Sequence, residues 1–234
     1  MIVAANFKTN KTRAQTRDYM DEVNAYIRTE SVKSEVIVFP PATAFANFGQ
    51  GATVGAQNAY AVENGAFTGE IGLDQLKEFG VKTILIGHSE RRHVLGETQE
   101  AIAKKFNYFK ELGYQIVYCI GEKLETREQG QTALMAYIET QLVNIDLEYE
   151  NLIVAYEPVW AIGTGLVPSL DDISQIHTDL RAKTSRPLLY GGSVKVSNMA
   201  EIVALENVDG VLVGGASLYA QNFCEMIKIS EEVS

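Results

Sequence analysis

The chain has 234 residues, of which 46% are hydrophobic and 21% are charged, and its formal net charge is −10. This hydrophobic content is typical of a globular protein with a sizeable core, and α/β barrels commonly reach this length as one domain. The negative charge argues against nucleic acid and anionic membranes as partners, because both select basic patches.

Two cysteines, Cys119 and Cys224, lie far apart in the sequence and make no disulfide framework. A reducing, cytoplasmic setting is therefore expected. No basic segment precedes a long apolar run at the N-terminus, so no signal peptide is expected. No stretch approaches the roughly 18 apolar residues that span a bilayer, so no membrane association is expected.

Short apolar segments alternate with amphipathic ones through the first half of the chain. Strands are predicted over residues 1–5, 36–39, 52–56 and 83–86. Helices are predicted over residues 12–29, 73–79 and 97–112. A long polar loop over residues 57–70 interrupts this alternation, and a loop of that length in a compact domain is typically functional or part of an interface.

The second half repeats the pattern. Strands are predicted over residues 116–120, 151–156, 188–190 and 210–213, and helices over residues 131–143, 169–183, 197–205 and 217–229. Short apolar strands separated by amphipathic helices indicate parallel strands that are buried on both faces. Eight such units predict an α/β protein with a single (β/α)8 TIM barrel, and no linker or shift in composition divides residues 1–234.

Polar and glycine residues follow these strands directly. They are Asn6, Lys8, His88, Glu90, Glu157, Ser193, Gly214 and Gly215. The carboxyl ends of all strands in a parallel barrel share one face, and barrel enzymes keep their active sites there. The sequence therefore predicts that these residues converge on one site.

Glu157 stands at the end of the sixth predicted strand, and Pro158 stiffens the turn after it. Gly163 and Gly165 close an apolar loop that contains the only tryptophan of the chain, Trp160. A carboxylate on a rigid strand end beside a glycine-bounded loop is typical of a catalytic base with a movable cover.

Two glycine pairs follow the seventh and eighth strands. Gly214-Gly215-Ala216-Ser217 precedes a predicted helix, whose free N–H groups and dipole favour a phosphate. Gly191-Gly192-Ser193 offers a second cradle, and barrel enzymes often bind phosphate at these two loops. A glycine pair alone is also typical of tight helix–strand packing. Lys8 is the natural counter-charge for an oxyanion or phosphate.

His88 follows the fourth strand beside a short helix start. A helix N-terminus disfavours the imidazolium, so a lowered pKa and a neutral, proton-donating ring are expected. His88 and His93 are five residues apart and do not align on one helix face, so no metal site is expected.

Eight segments in order between residues 4 and 217 together resemble the triosephosphate isomerase family. They are Ala4-Ala-Asn-Phe-Lys8, Ala56-Gln-Asn-Ala59, Asn64-Gly-Ala-Phe-Thr-Gly-Glu70, Gly87-His-Ser-Glu-Arg-Arg-His93, Cys119-Ile-Gly-Glu122, Ala155-Tyr-Glu-Pro-Val-Trp-Ala-Ile-Gly-Thr-Gly165, Tyr190-Gly-Gly-Ser-Val194 and Val213-Gly-Gly-Ala-Ser217. Each segment is weakly specific, whereas the set is highly specific.

The resemblance implies interconversion of dihydroxyacetone phosphate and D-glyceraldehyde 3-phosphate in glycolysis and gluconeogenesis, with no cofactor and no metal. It implies that Glu157 is the base, that His88 is the neutral acid, and that Lys8 and Asn6 stabilise the enediolate. It also implies that Glu90 organises the site beside His88. Backbone N–H groups that bind the phosphate are implied at Gly163, Ser193, Gly214 and Gly215.

The resemblance further implies a homodimer, in which the loop around Thr68 inserts beside Asn6 and Lys8 of the partner subunit. It implies that residues 158–166 form a lid over the intermediate. Many family members carry Lys after the second lid glycine, where this chain has Leu166, so a different lid hinge is expected. Two alternatives stay open from the residues alone: another phosphate-binding barrel isomerase with a different base, and a non-catalytic binding protein on a barrel.

Overall fold

The computed structural model describes residues 1–162 and 166–233. Eight parallel strands form a closed barrel in chain order, and the first strand pairs with both the second and the eighth. The strands are β1 Ile2–Asn6, β2 Glu35–Phe39, β3 Thr53–Ala56, β4 Thr83–Ile86, β5 Gln115–Ile120, β6 Leu152–Tyr156, β7 Leu188–Tyr190 and β8 Gly210–Val213. The predicted (β/α)8 barrel is confirmed.

Helices of very different length surround the barrel. In the described part of the chain they are α1 Arg13–Thr29, α2 Leu73–Glu78, α3 Ser89–His93, α4 Gln99–Glu111, α5 Leu124–Arg127, α6 Gln131–Gln141, α7 Leu170–Arg181, α8 Val196–Val203 and α9 Ala220–Val233. The predicted start of the last helix at residue 217 is wrong, because Gly215–Leu218 form a separate 3₁₀ turn. Within the described residues no helix has the length and apolarity needed to cross a bilayer.

Alternating side chains of the strands form two separate apolar layers. In β5, Val117 and Cys119 belong to a cluster that fills the barrel lumen. Ile116 and Tyr118 belong to the larger cluster between the sheet and the helices. Successive residues of a strand face opposite sides, so an apolar strand buried on both faces supplies both layers. Close packing of the lumen fixes the strands relative to one another, and it therefore also fixes the positions of the polar residues at their carboxyl ends.

His177 of α7 is fully buried in the layer outside the sheet. Its ring centroid lies 6.2 Å from that of Tyr156 and 6.4 Å from that of Tyr190. Its Nδ1–H donates to the Asn207 carbonyl at 3.0 Å. Burial lowers the pKa of His177 from 6.5 to about 4.

The buried His177 predicts a loss of stability in acid. Between pH 6.5 and 4 the unfolded chain binds a proton that the folded chain excludes, so the free energy of unfolding falls as the pH drops. The contribution of this residue is about 3 kcal/mol. His177→Asn keeps an N–H near Asn207 but does not titrate, so its denaturant midpoint should depend less on pH than that of the wild type. Parallel pH dependences in the two proteins would contradict the assignment.

Candidate active site

The carboxyl ends of five strands surround a cavity of about 280 Å³. Seven of the predicted site residues line it: Asn6, Lys8, His88, Glu157, Ser193, Gly214 and Gly215. Glu90 lines an adjoining cavity that shares Asn6, Lys8 and His88. Gly163 lies outside the described residues. Groups that are up to about 200 residues apart in the sequence thus lie at one rim, as the convergence of strand ends in a barrel requires.

Glu157 leaves the end of β6 as a buried carboxylate with two partners. Its Oε1 lies 3.0 Å from His88 Nε2, and its Oε2 accepts a hydrogen bond of 3.0 Å from the Ser89 N–H. Burial by itself raises the pKa of Glu157, but His88, the Ser89 N–H and the Lys8 ammonium outweigh burial and hold the pKa below its usual value. The group is therefore an ionised carboxylate, the form that accepts a proton.

His88 is the N-cap of the five-residue helix α3. Its Nδ1 accepts a hydrogen bond of 3.3 Å from the Glu90 N–H, so the neutral ring carries its proton on Nε2, which faces Glu157. Burial by itself lowers the pKa of His88, yet the Glu157 carboxylate outweighs burial and raises the pKa above its usual value. The expectation of a lowered pKa is wrong for this arrangement, because a carboxylate in direct contact acts more strongly than the end of one short helix.

Lys8 sits just beyond β1 in a left-handed backbone conformation, with φ of 52°. Its Nζ lies 2.7 Å from Glu90 Oε1, and its N–H donates to Asn6 Oδ1 at 3.0 Å. Left-handed backbone is unfavourable for a non-glycine residue and persists only where its surroundings hold it. The ion pair with Glu90 and the backbone hydrogen bond to Asn6 therefore hold the ammonium group of Lys8 at the cavity.

Gln57 is a residue whose part in the site was not predicted. Its Nε2 donates to the Lys8 carbonyl at 2.7 Å and to the Phe39 carbonyl at 2.9 Å, which ties the backbone of Lys8 to the end of β2. The signal in the sequence was its position directly after β3, in the same way as Glu157 directly follows β6.

The glycine-rich loops after β7 and β8 close the other side of the cavity. The Ser193 hydroxyl donates to the Ala161 carbonyl at 2.7 Å. A methyl group built on Gly214 would lie 3.5 Å from Lys8 Cε, so this loop and the Lys8 side chain face the same space. A methyl group on Gly192 would lie 2.2 Å from the Tyr190 hydroxyl, so a side chain there would require the Tyr190 ring to move. The loop backbone and the ammonium group together suit an anion such as a phosphate.

The chain after Glu157 is anchored to the end of β5. Trp160 Nε1 and the Tyr156 hydroxyl both donate to Glu122 Oε1, at 2.9 and 3.0 Å. Burial raises the pKa of Glu122, and the hydrogen bonds from Trp160 and Tyr156 oppose that rise. The predicted lid over residues 158–166 continues from this anchor, and its middle, residues 163–165, lies outside the described residues.

The polar loop before α2 projects from the protein as an arm. Every residue from 63 to 70 is exposed, including Phe67 and Thr68. Internal bonds order this arm, because the Phe67 ring packs 4.8 Å from the Tyr60 ring and the Glu70 N–H donates to the Phe67 carbonyl at 3.0 Å. The adjoining cavity of about 520 Å³, beside Asn6 and Lys8, is open on the same rim.

Comparison with known proteins identifies the family. The family model described as triosephosphate isomerase matches residues 1–230. Triosephosphate isomerase of Sulfurimonas denitrificans is 57% identical over 233 residues, which cover 100% of this chain and 97% of that protein. Those of Sulfurovum sp. and Nitratiruptor sp. are 56% and 51% identical, and the matches cover 97% and 100% of this chain and 99% and 100% of the relatives. A barrel with a carboxylate, an imidazole and an ammonium group at its rim agrees with this match, and the chain belongs to the triosephosphate isomerase family.

Proposed function

We propose that this chain is a triosephosphate isomerase, an aldose–ketose isomerase of glycolysis and gluconeogenesis. It interconverts dihydroxyacetone phosphate and D-glyceraldehyde 3-phosphate. The observation that carries the proposal is the contact of 3.0 Å between Glu157 and His88, in a cavity that Lys8 also lines. These three groups are what proton transfer next to a carbonyl requires: a base, an acid and a stabiliser of the oxyanion.

Binding of the phosphate begins the reaction. The backbone N–H groups of Ser193, Gly214 and Gly215 hold the phosphate oxygens, and Lys8 supplies the opposite charge beside them. Gly163 is proposed as a further donor on the family resemblance. These local donors act within an overall field that is negative, since the net charge of the chain is −10. Recognition is therefore expected to depend mainly on these short-range contacts at the cavity.

Proton transfer follows. Glu157 removes a proton from the hydroxymethyl carbon beside the carbonyl, the C–H electron pair forms the C=C bond, and the carbonyl electron pair moves onto oxygen. Lys8 and the Asn6 amide stabilise the resulting enediolate, and His88 moves a proton between its two oxygens through Nε2. Glu157 then returns a proton to the neighbouring carbon. Atoms and charge balance, and no electron leaves the substrate.

Glu90 organises two of these groups. Its carboxylate holds Lys8 Nζ at 2.7 Å, and its N–H donates to His88 Nδ1 at 3.3 Å. The first contact places the ammonium group at the cavity, and the second fixes the ring orientation and the tautomer of His88. We propose that Glu90 acts through Lys8 and His88 in this way.

An isomerase assay on the purified protein tests the proposal. Each triose phosphate is supplied in turn with EDTA present, and the other is detected with a coupling dehydrogenase. We expect rapid turnover in both directions. The ratio of the forward to the reverse kcat/KM should equal the equilibrium constant of the reaction. A correctly folded protein that converts neither substrate would refute the proposed function.

We also propose that the active form is a homodimer. In this dimer the arm around Thr68 would enter the cavity beside Asn6 and Lys8 of a second copy; the proposal is supported by the exposure of the arm and by the position of the cavity next to the proposed catalytic groups. The exposed apolar side chains of Phe67, Val94 and Leu95 support burial of this region in an interface.

Thr68→Glu tests the arm. A charge placed in this contact should weaken association by about 3 kcal/mol or more, because the carboxylate would be buried without a partner. Activity should fall together with the dimer fraction on dilution, as measured by sedimentation and by the isomerase assay. Thr132→Glu, a matched change at an exposed threonine on α6, should alter neither. A monomeric Thr68→Glu protein with full activity would refute the role of the arm.

Two further proposals concern the chain as a whole. We propose that residues 1–234 act as a single domain, since the barrel uses strands from Ile2 to Val213 and α9 packs against α1 and β1. We propose a cytoplasmic location, because Cys119 and Cys224 are both free and buried thiols, which suits a reducing compartment.

A further inference from the structure

We propose that Gln141, at the end of α6, is a positioning residue for Glu157. The inference rests on the proposed function. The Gln141 side chain is buried, and its carboxamide makes two hydrogen bonds to the backbone of Gly121. Its Nε2 donates to the Gly121 carbonyl at 2.8 Å, and its Oε1 accepts from the Gly121 N–H at 2.9 Å. One carboxamide therefore fixes both polar groups of a single glycine.

Gly121 in turn supports the backbone of the catalytic base. A methyl group built on Gly121 would lie 1.7 Å from the Glu157 carbonyl oxygen, so the two backbones are in direct contact there. The residue before it completes the contact, because the Glu157 N–H donates to the Ile120 carbonyl at 2.7 Å. Any movement of residues 120–121 is thus transmitted to Glu157. Gln141 holds Gly121 through both of its backbone polar groups.

Two further side chains, Tyr118 and Arg92, connect Gln141 to the residue before His88. The Tyr118 hydroxyl donates to the Gln141 carbonyl at 2.5 Å and accepts from Arg92 Nη2 at 3.1 Å. Arg92 also donates to the Gly87 carbonyl, just before His88, at 2.7 Å and to the Cys119 carbonyl at 3.1 Å. Arg92 therefore joins the end of β4, just before His88, to the end of β5, whose following residue Gly121 contacts the backbone of Glu157.

These hydrogen bonds give the buried polar side chain of Gln141 a role in positioning the base. Catalytic proton transfer requires the base within hydrogen-bond reach of the carbon proton, and a displacement of about 1 Å costs up to about a hundredfold in rate. Gln141 does not line the cavity that holds the phosphate-binding loops. Loss of its two hydrogen bonds should therefore affect the chemical step and leave phosphate binding intact.

Gln141→Leu tests this separation, because leucine fills a similar volume without either hydrogen bond. We expect kcat to fall by about tenfold or more, while KM and the inhibition constant of inorganic phosphate stay unchanged. Asn24→Leu is the matched control. Asn24 is a buried carboxamide that brackets another loop, donating to the Phe48 carbonyl and accepting from the Ala52 N–H, both at 2.9 Å, and it does not line the active-site cavity.

A purely structural role predicts a different result. Both variants would then lose thermal stability alike and keep the wild-type kcat, and that outcome overturns the inference. A parallel change in kcat, KM and phosphate inhibition overturns it too. If Gln141→Leu does not fold, Gln141→Met decides: its flexible side chain fills the same space without the two hydrogen bonds to Gly121, so a lower kcat at constant KM supports the inference and an unchanged kcat ends it. An inactive wild type would overturn the proposed function and this inference with it, whereas an active wild type with an unaffected Gln141→Leu overturns the inference alone.

Discussion

Replacing Glu157 with glutamine is expected to lower kcat by about a thousandfold, within the range that a positioned general base contributes. Glutamine keeps the shape of the side chain and its contact with the Ser89 N–H, but it cannot accept the carbon proton. Burial raises the pKa of Glu157, but His88, the Ser89 N–H and Lys8 together lower it below its usual value. The side chain is therefore ionised and able to accept a proton. Steady-state kinetics in both directions measure the loss, and circular dichroism checks the fold.

Glu35→Gln is the control for this change. Glu35 begins β2, so it stands at the end of the barrel opposite to the cavity, and its Oε1 accepts from Gln115 Nε2 at 2.6 Å. The same loss of charge at that end should leave turnover unchanged. Wild-type turnover in Glu157→Gln would remove this carboxylate from the mechanism.

Lys8→Met is expected to lower kcat/KM by about a hundredfold to a thousandfold, the loss that follows removal of one strong electrostatic contact to a developing oxyanion. The variant removes the cation that faces the glycine loop at Gly214 and leaves Glu90 without its partner. An unpaired carboxylate beside an anionic substrate adds repulsion to the loss of attraction.

Lys11→Met provides a close comparison for this second prediction. Lys11 lies on the same loop and is also left-handed, with φ of 70°, but its ammonium group packs 4.9 Å from the centroid of the Tyr19 ring and does not line the cavity. Its replacement should leave kcat/KM near the wild-type value. Equal losses in the two variants would mean that the charge of Lys8 has no specific role at the site.

Much of the site was predictable because a parallel barrel turns a sequence pattern into a spatial one. Asn6 ends a short apolar strand, His88 and Glu157 follow two others, and the closed sheet brings those strand ends to one rim. The strands themselves were predicted to within a residue or two, because they are apolar on both faces and bounded by polar or glycine residues.

Other features depend on contacts that a linear pattern does not contain. The short helices α3 and α5 have five and four residues, too few for a hydrophobic period to be read. The direction in which the pKa of His88 shifts depends on the carboxylate of Glu157, which lies 69 positions further along the sequence. Gln57 and Gln141 act through hydrogen bonds to the backbone of distant residues, and nothing in their local sequence specifies those partners.

Solvent isotope exchange tests the central claim, that Glu157 removes a proton from one carbon of a triose phosphate and, after exchange of its carboxyl proton with solvent, returns a proton to the neighbouring carbon. The wild-type enzyme converts the substrate in D₂O, and NMR locates the label in the product. We expect deuterium at the carbon that receives the proton, because the protonated carboxyl group exchanges with solvent during the lifetime of the enediolate, and we expect negligible labelling with Glu157→Gln. A wild-type product that wholly retains the substrate hydrogen, or labelling that persists at the wild-type rate in Glu157→Gln, would contradict the account.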